Sequence, residues 1–286
     1  MPGGPLEIYL SNPNVRPEDI ERLRRSLGLD QPLWRQYVSW LSAFAQGDWG
    51  YSFSDGRPVA ERVLERLPAT LELTLASLVI AMLITLPVGV FAAVLRGRWF
   101  DRVATGMAFA GISLPAFWFG LMLQIVFAIG LGWLPSSGRT TLGSGDMADR
   151  IRHLVLPAAV LSCVLAAGWS RYLRSSMIET LAQPFVLAAK ARGVPARLVL
   201  LRHALRNAMG PVVTVALLDT ALIVSGAVVT ESVFAWPGLG SLFTEALARR
   251  DYTVLMALLM LTSTAVVALN LVADGVYALL DPRVTL

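Results

Sequence analysis

Long apolar runs separated by short charged loops dominate this sequence and set the elements it predicts. A helix needs about 20 mostly apolar residues to cross a hydrocarbon core, and five runs qualify: 70–95, 103–132, 154–172, 210–232 and 253–279. The second holds no charged residue from Val103 to Gly138 and ends in "GWLP", where Trp133 suits the interface and Pro135 breaks the helix. The fifth is free of charge from Tyr252 to Ala273. Ahead of the first run the pattern becomes amphipathic. "RPEDIERLRRSLGL" at 16–29 puts Ile20, Leu23 and Leu27 on one helical face, with acids in its first turn and Gly28 as a stop. "PLWRQYVSWLSAF" at 32–44 repeats this with Trp34, Tyr37, Trp40, Leu41 and Phe44, a stripe for packing on the spans or for the interface. "RPVAERVLERLP" at 57–68 then leads into the first span, with Val59, Val63 and Leu67 on a face suited to headgroups. The pattern predicts an all-α polytopic membrane protein with an amphipathic segment, 1–69, and a transmembrane domain, 70–286.

Composition supports that class. Of 286 residues, 55% are hydrophobic and 15% charged, with mean hydropathy +0.61, too apolar for an ordinary soluble domain of this length. The net charge of +4 and pI near 9.6 raise nucleic-acid binding, but the basic residues fill short loops between apolar runs, so no nucleic-acid partner is expected. Those loops also orient the chain. Arg96, Arg98, Arg102, the basic residues from Arg171 to Arg206, and Arg283 fall on one side. Arg139, Arg150, Arg152, Arg249 and Arg250 fall on the other, fewer and mixed with Asp146, Asp149, Glu245 and Asp251. The first side is therefore cytoplasmic, with the loop at about 179–207 and the C-terminus, and 1–69 is extracytoplasmic. An outer N-terminus beginning "MPGGPLEIYL", with neither signal peptide nor apolar anchor, leads to the expectation that a first span is missing ahead of Met1, the alternative being that the segment crosses by a route the sequence does not show. Cys163, the single cysteine, excludes an internal disulfide and reads as a packing residue.

A transporter powers itself, borrows power or lets solute run downhill. Self-powering by ATP needs a Gly-rich loop with a lysine on the phosphates, and the only lysine, Lys190, sits in "AAKARG". Two histidines, His153 and His203, fall at opposite membrane faces, and there is neither an H-E-x-x-H nor a G-x-S-x-G motif. No metal, cofactor or enzymatic activity is expected of this chain. Polar residues within the spans are few. Asp219 stands in the middle of the fourth, where a buried charge faces either a water-filled path or a helix contact. Gln124 and Asn270 are candidates for the path as well, against interhelical hydrogen bonding.

The basic segment between the third and fourth spans breaks into a hairpin. Pro184 suits a helix first turn, residues 185–192 are good helix formers, and Gly193 suits a left-handed stop. Phe185, Ala188, Ala189 and Arg192 share a face, and the two alanines predict a low surface for close approach by another protein. Pro195 starts a second helix with Leu198, Leu201 and Leu205 on one stripe and Arg202 and Arg206 on another. The hairpin reads as a docking element or as a solvated loop.

Several stretches resemble one family. "LGLDQPLWRQY" (27–37), "GDWGYSF" (47–53), "RLPATLELT" (66–74), "SLPAFWFG" (113–120), "LPAAVL" (156–161), "YLRSSM" (172–177), "ESVFAWPGLGSL" (231–242) and "DPR" (281–283) occur in the order found in permease subunits of ATP-binding-cassette importers, in the branch for dipeptides, oligopeptides, nickel or glutathione. That family's EAA loop is similar to Ala188, Ala189 and Gly193 here, with Leu187 in place of its opening acid and "HALR" at its end. The resemblance implies a six-span core, of which this chain lacks the first, with "GGP" (3–5) resembling the element that follows that span. It further implies a bacterial or archaeal inner-membrane permease with an EAA-type coupling helix that docks on ATPase subunits through Leu187, Ala188, Ala189 and Gly193, with Arg192 and Arg197 as charged contacts. The partners implied are two ABC ATPases, which would use ATP and magnesium, a second permease and an extracytoplasmic solute-binding protein. Glu231, Trp236, Pro237 and Gly238 are candidates to meet that binding protein or to form a gate. An ATP-independent secondary transporter or channel is the alternative.

Overall fold

The computed structural model describes residues 30–141, 143, 145–224 and 227–280. The amphipathic helix expected at 16–29, the "GGP" element and the closing "DPR" lie outside them. Among the described residues all regular structure is helical, apart from one isolated bridge between Tyr51 and Pro58. Two compact units divide it, 30–65 with 245–258 and 66–244 with 259–280.

In the first unit, α1 (Leu33–Ala45) carries an aromatic series. Tyr37, Trp40, Phe44 and Trp49 follow one another at ring separations of 6.2, 5.6 and 5.1 Å. Beside it the loop 48–58 is organised by polar groups. Asp251 is completely buried and accepts from the Ser52 hydroxyl (2.5 Å) and the Phe53 and Ser54 amides (3.3 Å each). Arg62, also buried, lies 3.5 Å from Asp55 and 3.7 Å from Asp251. Burial works against the Asp55 carboxylate, but the Ser52 hydroxyl, the Arg57 amide and the Arg62 and Arg57 charges together hold it below the usual carboxylate range.

The helix α2 (Val59–Val94) contributes its first turns to this unit and the rest to the second. In chain order follow α3 (Trp99–Ser113), α4 (Ala116–Leu123), a π-helical stretch (Gln124–Gly130), α5 (Met147–Leu181), α6 (Pro184–Ala191), α7 (Ala196–Leu198), a second π-helical stretch (Val199–Leu205), α8 (Arg206–Val224), α9 (Val228–Val233), α10 (Leu239–Ala248) and α11 (Tyr252–Leu280). By length and composition α2, α5 and Tyr252–Ala273 each suffice to cross a bilayer. The span expected at 103–132 is not one rod, because α3 and the helix from Ala116 meet at a 103° bend. Its cause is Pro115, whose ring drives Leu114 to an extended ψ of 127° and ends α3. The span expected at 210–232 is helical over 206–224 and again over 228–233.

The core of the second unit forms where α2, α5 and α8 meet. Leu165, Trp169, Leu173 and Met177 of α5 pack against Ala81, Val90 and Ala93 of α2 and Ala208 and Val212 of α8. Small residues set how closely these helices approach. A Cβ at Gly89 would lie 2.8 Å from Leu173 Cβ.

Candidate functional site

The segment after α5 is built as a capped helix and a turn. Pro184 occupies the first turn of α6, where its missing N–H costs nothing. At the other end Gly193 adopts φ +74°. Its amide donates to Lys190 O (3.0 Å) and the Val194 amide reaches back to Ala189 O (3.2 Å). These are the two bonds of a Schellman stop, and the left-handed residue they need is the glycine. Val194 then packs with Leu181, Val186, Ala189 and Val199, seating the hairpin on its own chain.

That seating separates the two alanines. Adjacent helical residues point about 100° apart, and the inward positions are Val186 and Ala189, whereas Ala188 and Leu187 are exposed. The low surface expected of an Ala188–Ala189 pair is therefore not one face; Ala189 belongs to the inner packing. Phe185, Leu187, Ala188, Lys190, Arg192 and Gly193 make up the exposed side. The second half of the hairpin also differs from the expected stripe of Leu198, Leu201 and Leu205. Because Val199–Leu205 is π-helical, residues five apart share a face, and Val199 and Ala204 turn inward while Leu198 and Leu201 stay exposed.

Of the candidates for a path, Asp219 is half-buried on α8 and accepts from the Trp169 indole N–H of α5 at 2.7 Å. Trp169 itself is buried in the core, so the carboxylate is held by a rigid donor. Gln124 donates to Ser136 O (2.7 Å) and Val233 O (3.1 Å), which pins the π-helical stretch to its own loop and to α9. It is a structural tie. Asn270 is half-buried on α11.

The stretch 231–242 is interior rather than displayed. Glu231, completely buried, accepts from Thr70 Oγ1 (2.8 Å) and the Ser241 amide (2.9 Å). Thr70 Oγ1 in turn accepts from the Leu239 amide at 2.8 Å. The two side chains together satisfy the first amides of α10, where the helix dipole also favours an anion. Trp236, likewise buried, donates its indole N–H to Ala69 O at 2.8 Å. Gly238 and Gly240 serve close approach. Neither has positive φ. A Cβ on Gly238 would collide with the Glu231 carboxylate, and one on Gly240 would lie 2.7 Å from Val228 Cα. Glu231, Trp236 and Gly238 are thus unavailable to a docking protein in this conformation, and Pro237 alone of the four keeps partial exposure.

Two ionic clusters escaped the sequence reading, which used their arginines only to orient loops. Glu72 of α2 is gripped by Arg139 (2.6 Å) and by Arg150 of α5 (2.6 Å). Asp101, near the start of α3, is buried, pairs with Arg174 of α5 through two bonds (2.5 and 2.8 Å) and accepts from the Gly97 amide (2.8 Å). A carboxylate at the edge of a long apolar run was the available signal for each.

Known proteins resemble this chain in sequence and in fold. The family described as "Binding-protein-dependent transport system inner membrane component" matches residues 85–286, and "Binding-prot-dependent transport system membrane comp, N-term" matches residues 8–74. The oligopeptide transport system permease protein AppB of Bacillus subtilis (strain 168) is 41% identical over 285 residues, covering 99% of this chain and 90% of that one. The glutathione transport system permease protein GsiC of Escherichia coli (strain K12) is 40% identical over 284 residues, with the same coverage of 99% and 90%. In three dimensions an inward-facing MetNI methionine ABC transporter chain is similar at a TM-score of 0.65 and 18% identity, covering 79% of this chain and 99% of that one. The last likeness shows the fold.

Proposed function

The chain belongs to the binding-protein-dependent transport system inner membrane components, and on that premise we propose that it is the permease subunit of an ATP-binding-cassette importer that carries peptides inward. The observation that carries the substrate class is the 41% identity to an oligopeptide permease across 99% of the chain. The 40% identity to a glutathione permease supports the same class, since that solute is itself a short peptide.

The energy would enter at the capped hairpin. In this reading α6 sits in a cleft of a cytosolic ATPase subunit, with Leu187, Ala188 and Phe185 against it and Arg192 as a charged contact. ATP binding closes a pair of ATPases and moves this helix and its counterpart on a second permease. Because α6 follows α5 after Ala182 and Gln183 and is packed on Leu181, its displacement passes to the helix that holds Trp169 and, through it, Asp219. Asp219 would then line the path, where a carboxylate suits the ammonium end of a peptide. The excess of arginine near this hairpin supports a cytoplasmic location for it. A solute-binding protein would deliver peptides on the opposite side.

The test is uptake into proteoliposomes containing the complex purified with its ATPases and second permease, supplied with binding protein and labelled di-, tri- and oligopeptides, including glutathione. Uptake that requires ATP is expected. Gly193→Val puts a β-branched residue at a left-handed position, at a cost of at least about 1–2 kcal/mol, and is expected to abolish uptake while membrane insertion persists. ATP-independent uptake would establish a secondary carrier instead.

A further inference from the structure

A cavity of roughly 770 Å³ lies where the last turns of α2 meet the hairpin. Val90 and Val94 of α2, Leu181 and Leu201 contribute to an apolar lining, and two cations, Lys190 and Arg197, also face it. The volume falls within the range of about 300–1,000 Å³ typical of ligand sites. Phe91, Val94 and Leu201 are about half exposed, so the cavity opens outward between them. Lys190 and Arg197 have no carboxylate partner among the described residues. Exposed Arg96 and Arg98 follow the end of α2 within four residues of Val94 and add to the positive charge there.

These features select an occupant. α2 is long and apolar enough to span a bilayer, so its last turns mark a membrane face. A soluble anion would satisfy the cations and leave the apolar wall wet. A neutral lipid would cover the wall and leave two charges without a counterion. We propose that the cavity binds one anionic phospholipid, with an acyl chain along α2 between Val90 and Leu201 and the headgroup phosphate at Lys190 and Arg197. Basic sites between helices at the membrane face have the chemistry for such headgroups. The bound lipid braces the π-helical stretch Val199–Leu205 against α2 and so steadies the hairpin. That consequence rests on the coupling reading above; the binding itself does not.

Native mass spectrometry of the purified complex, released from nanodiscs of phosphatidylcholine with phosphatidylglycerol, counts the lipids retained. Phosphatidylglycerol is expected to remain bound in preference to phosphatidylcholine. Lys190→Gln and Arg197→Gln are each expected to lower that preference about fivefold, from about 1 kcal/mol per charge. Val94→Trp fills the groove from its exposed rim, keeps both charges and is expected to remove the retained lipid. Equal retention of the two lipids, or retention unaffected by Val94→Trp, overturns the proposal. So does an efficient cross-link from Val94→Cys to the second permease, which would show that protein fills the groove. A complex that imports peptides and retains no phosphatidylglycerol overturns this inference alone, and one that retains the lipid without importing peptides overturns only the transport reading.

Discussion

Glu231 is held out of water by three groups, the Thr70 hydroxyl, the Ser241 amide and a neighbouring glycine that leaves it room. Removing a donor from a buried acceptor costs about 1–3 kcal/mol, and Thr70→Val deletes the donor to Glu231 and the acceptor of the Leu239 amide together. It is expected to lower thermal stability in detergent, followed by tryptophan fluorescence, whereas Thr70→Ser is expected to preserve it. Gly238→Ala is expected to destabilise by overpacking, about 1–3 kcal/mol, because its Cβ meets the carboxylate. Its cost should shrink in a Glu231→Ala background, where the obstacle is gone; additive costs would show that the carboxylate is not what requires the glycine. The sequence marks Glu231 and the glycines as special, yet reads them as displayed. Nothing local says that Thr70, 161 residues away, donates to that carboxylate.

Among the elements, α6 separates two neighbouring alanines by what each faces. Ala189 is 1% exposed against Val186 and Val199, and Ala188 is exposed. Ala189→Leu is therefore expected to destabilise the hairpin by about 1–3 kcal/mol, read as faster proteolysis of the 181–207 segment. Ala188→Leu is expected to leave proteolysis unchanged and to weaken co-purification of the ATPase. Equal effects on both readouts would mean that the alanines share one surface after all. Turn chemistry makes part of this legible beforehand, since Pro184 and Gly193 act through backbone torsions that the residue type itself dictates. Pro115 carried the same kind of signal, but the uncharged run around it masks the break. The inward face of Val199–Leu205 was beyond reach for another reason. Burial there repeats every five residues, and a 3.6-residue period places Leu198, Leu201 and Leu205 together instead.

For the molecule as a membrane protein, α5 serves as a ruler. Arg150 binds Glu72 and Arg174 binds Asp101, and 24 helical residues at about 1.5 Å each separate the two arginines by about 36 Å along the helix. Between His153 and Arg171 no charged residue occurs. A hydrocarbon core is about 30 Å thick, so each ionic cluster falls near one interface, where partial hydration reduces the cost of holding charge. Hydropathy locates the span, and loop arginines give its direction, but neither shows that the same arginines fasten α5 to α2 and α3. Leu181 follows Arg174 within two turns, which puts the hairpin at the Asp101 end and the loop carrying Arg139 at the Glu72 end. In the proposed orientation, with the arginine excess inside, the Asp101 end is the cytoplasmic one. Because Cys163 is the single cysteine, a Cys163→Ser background reports cleanly on introduced thiols. Thr140→Cys, at an exposed position, is expected to react with a membrane-impermeant maleimide on intact cells, and Lys190→Cys only after permeabilisation. Labelling in the reverse order would invert the chain in the bilayer and place the hairpin out of reach of any cytosolic ATPase.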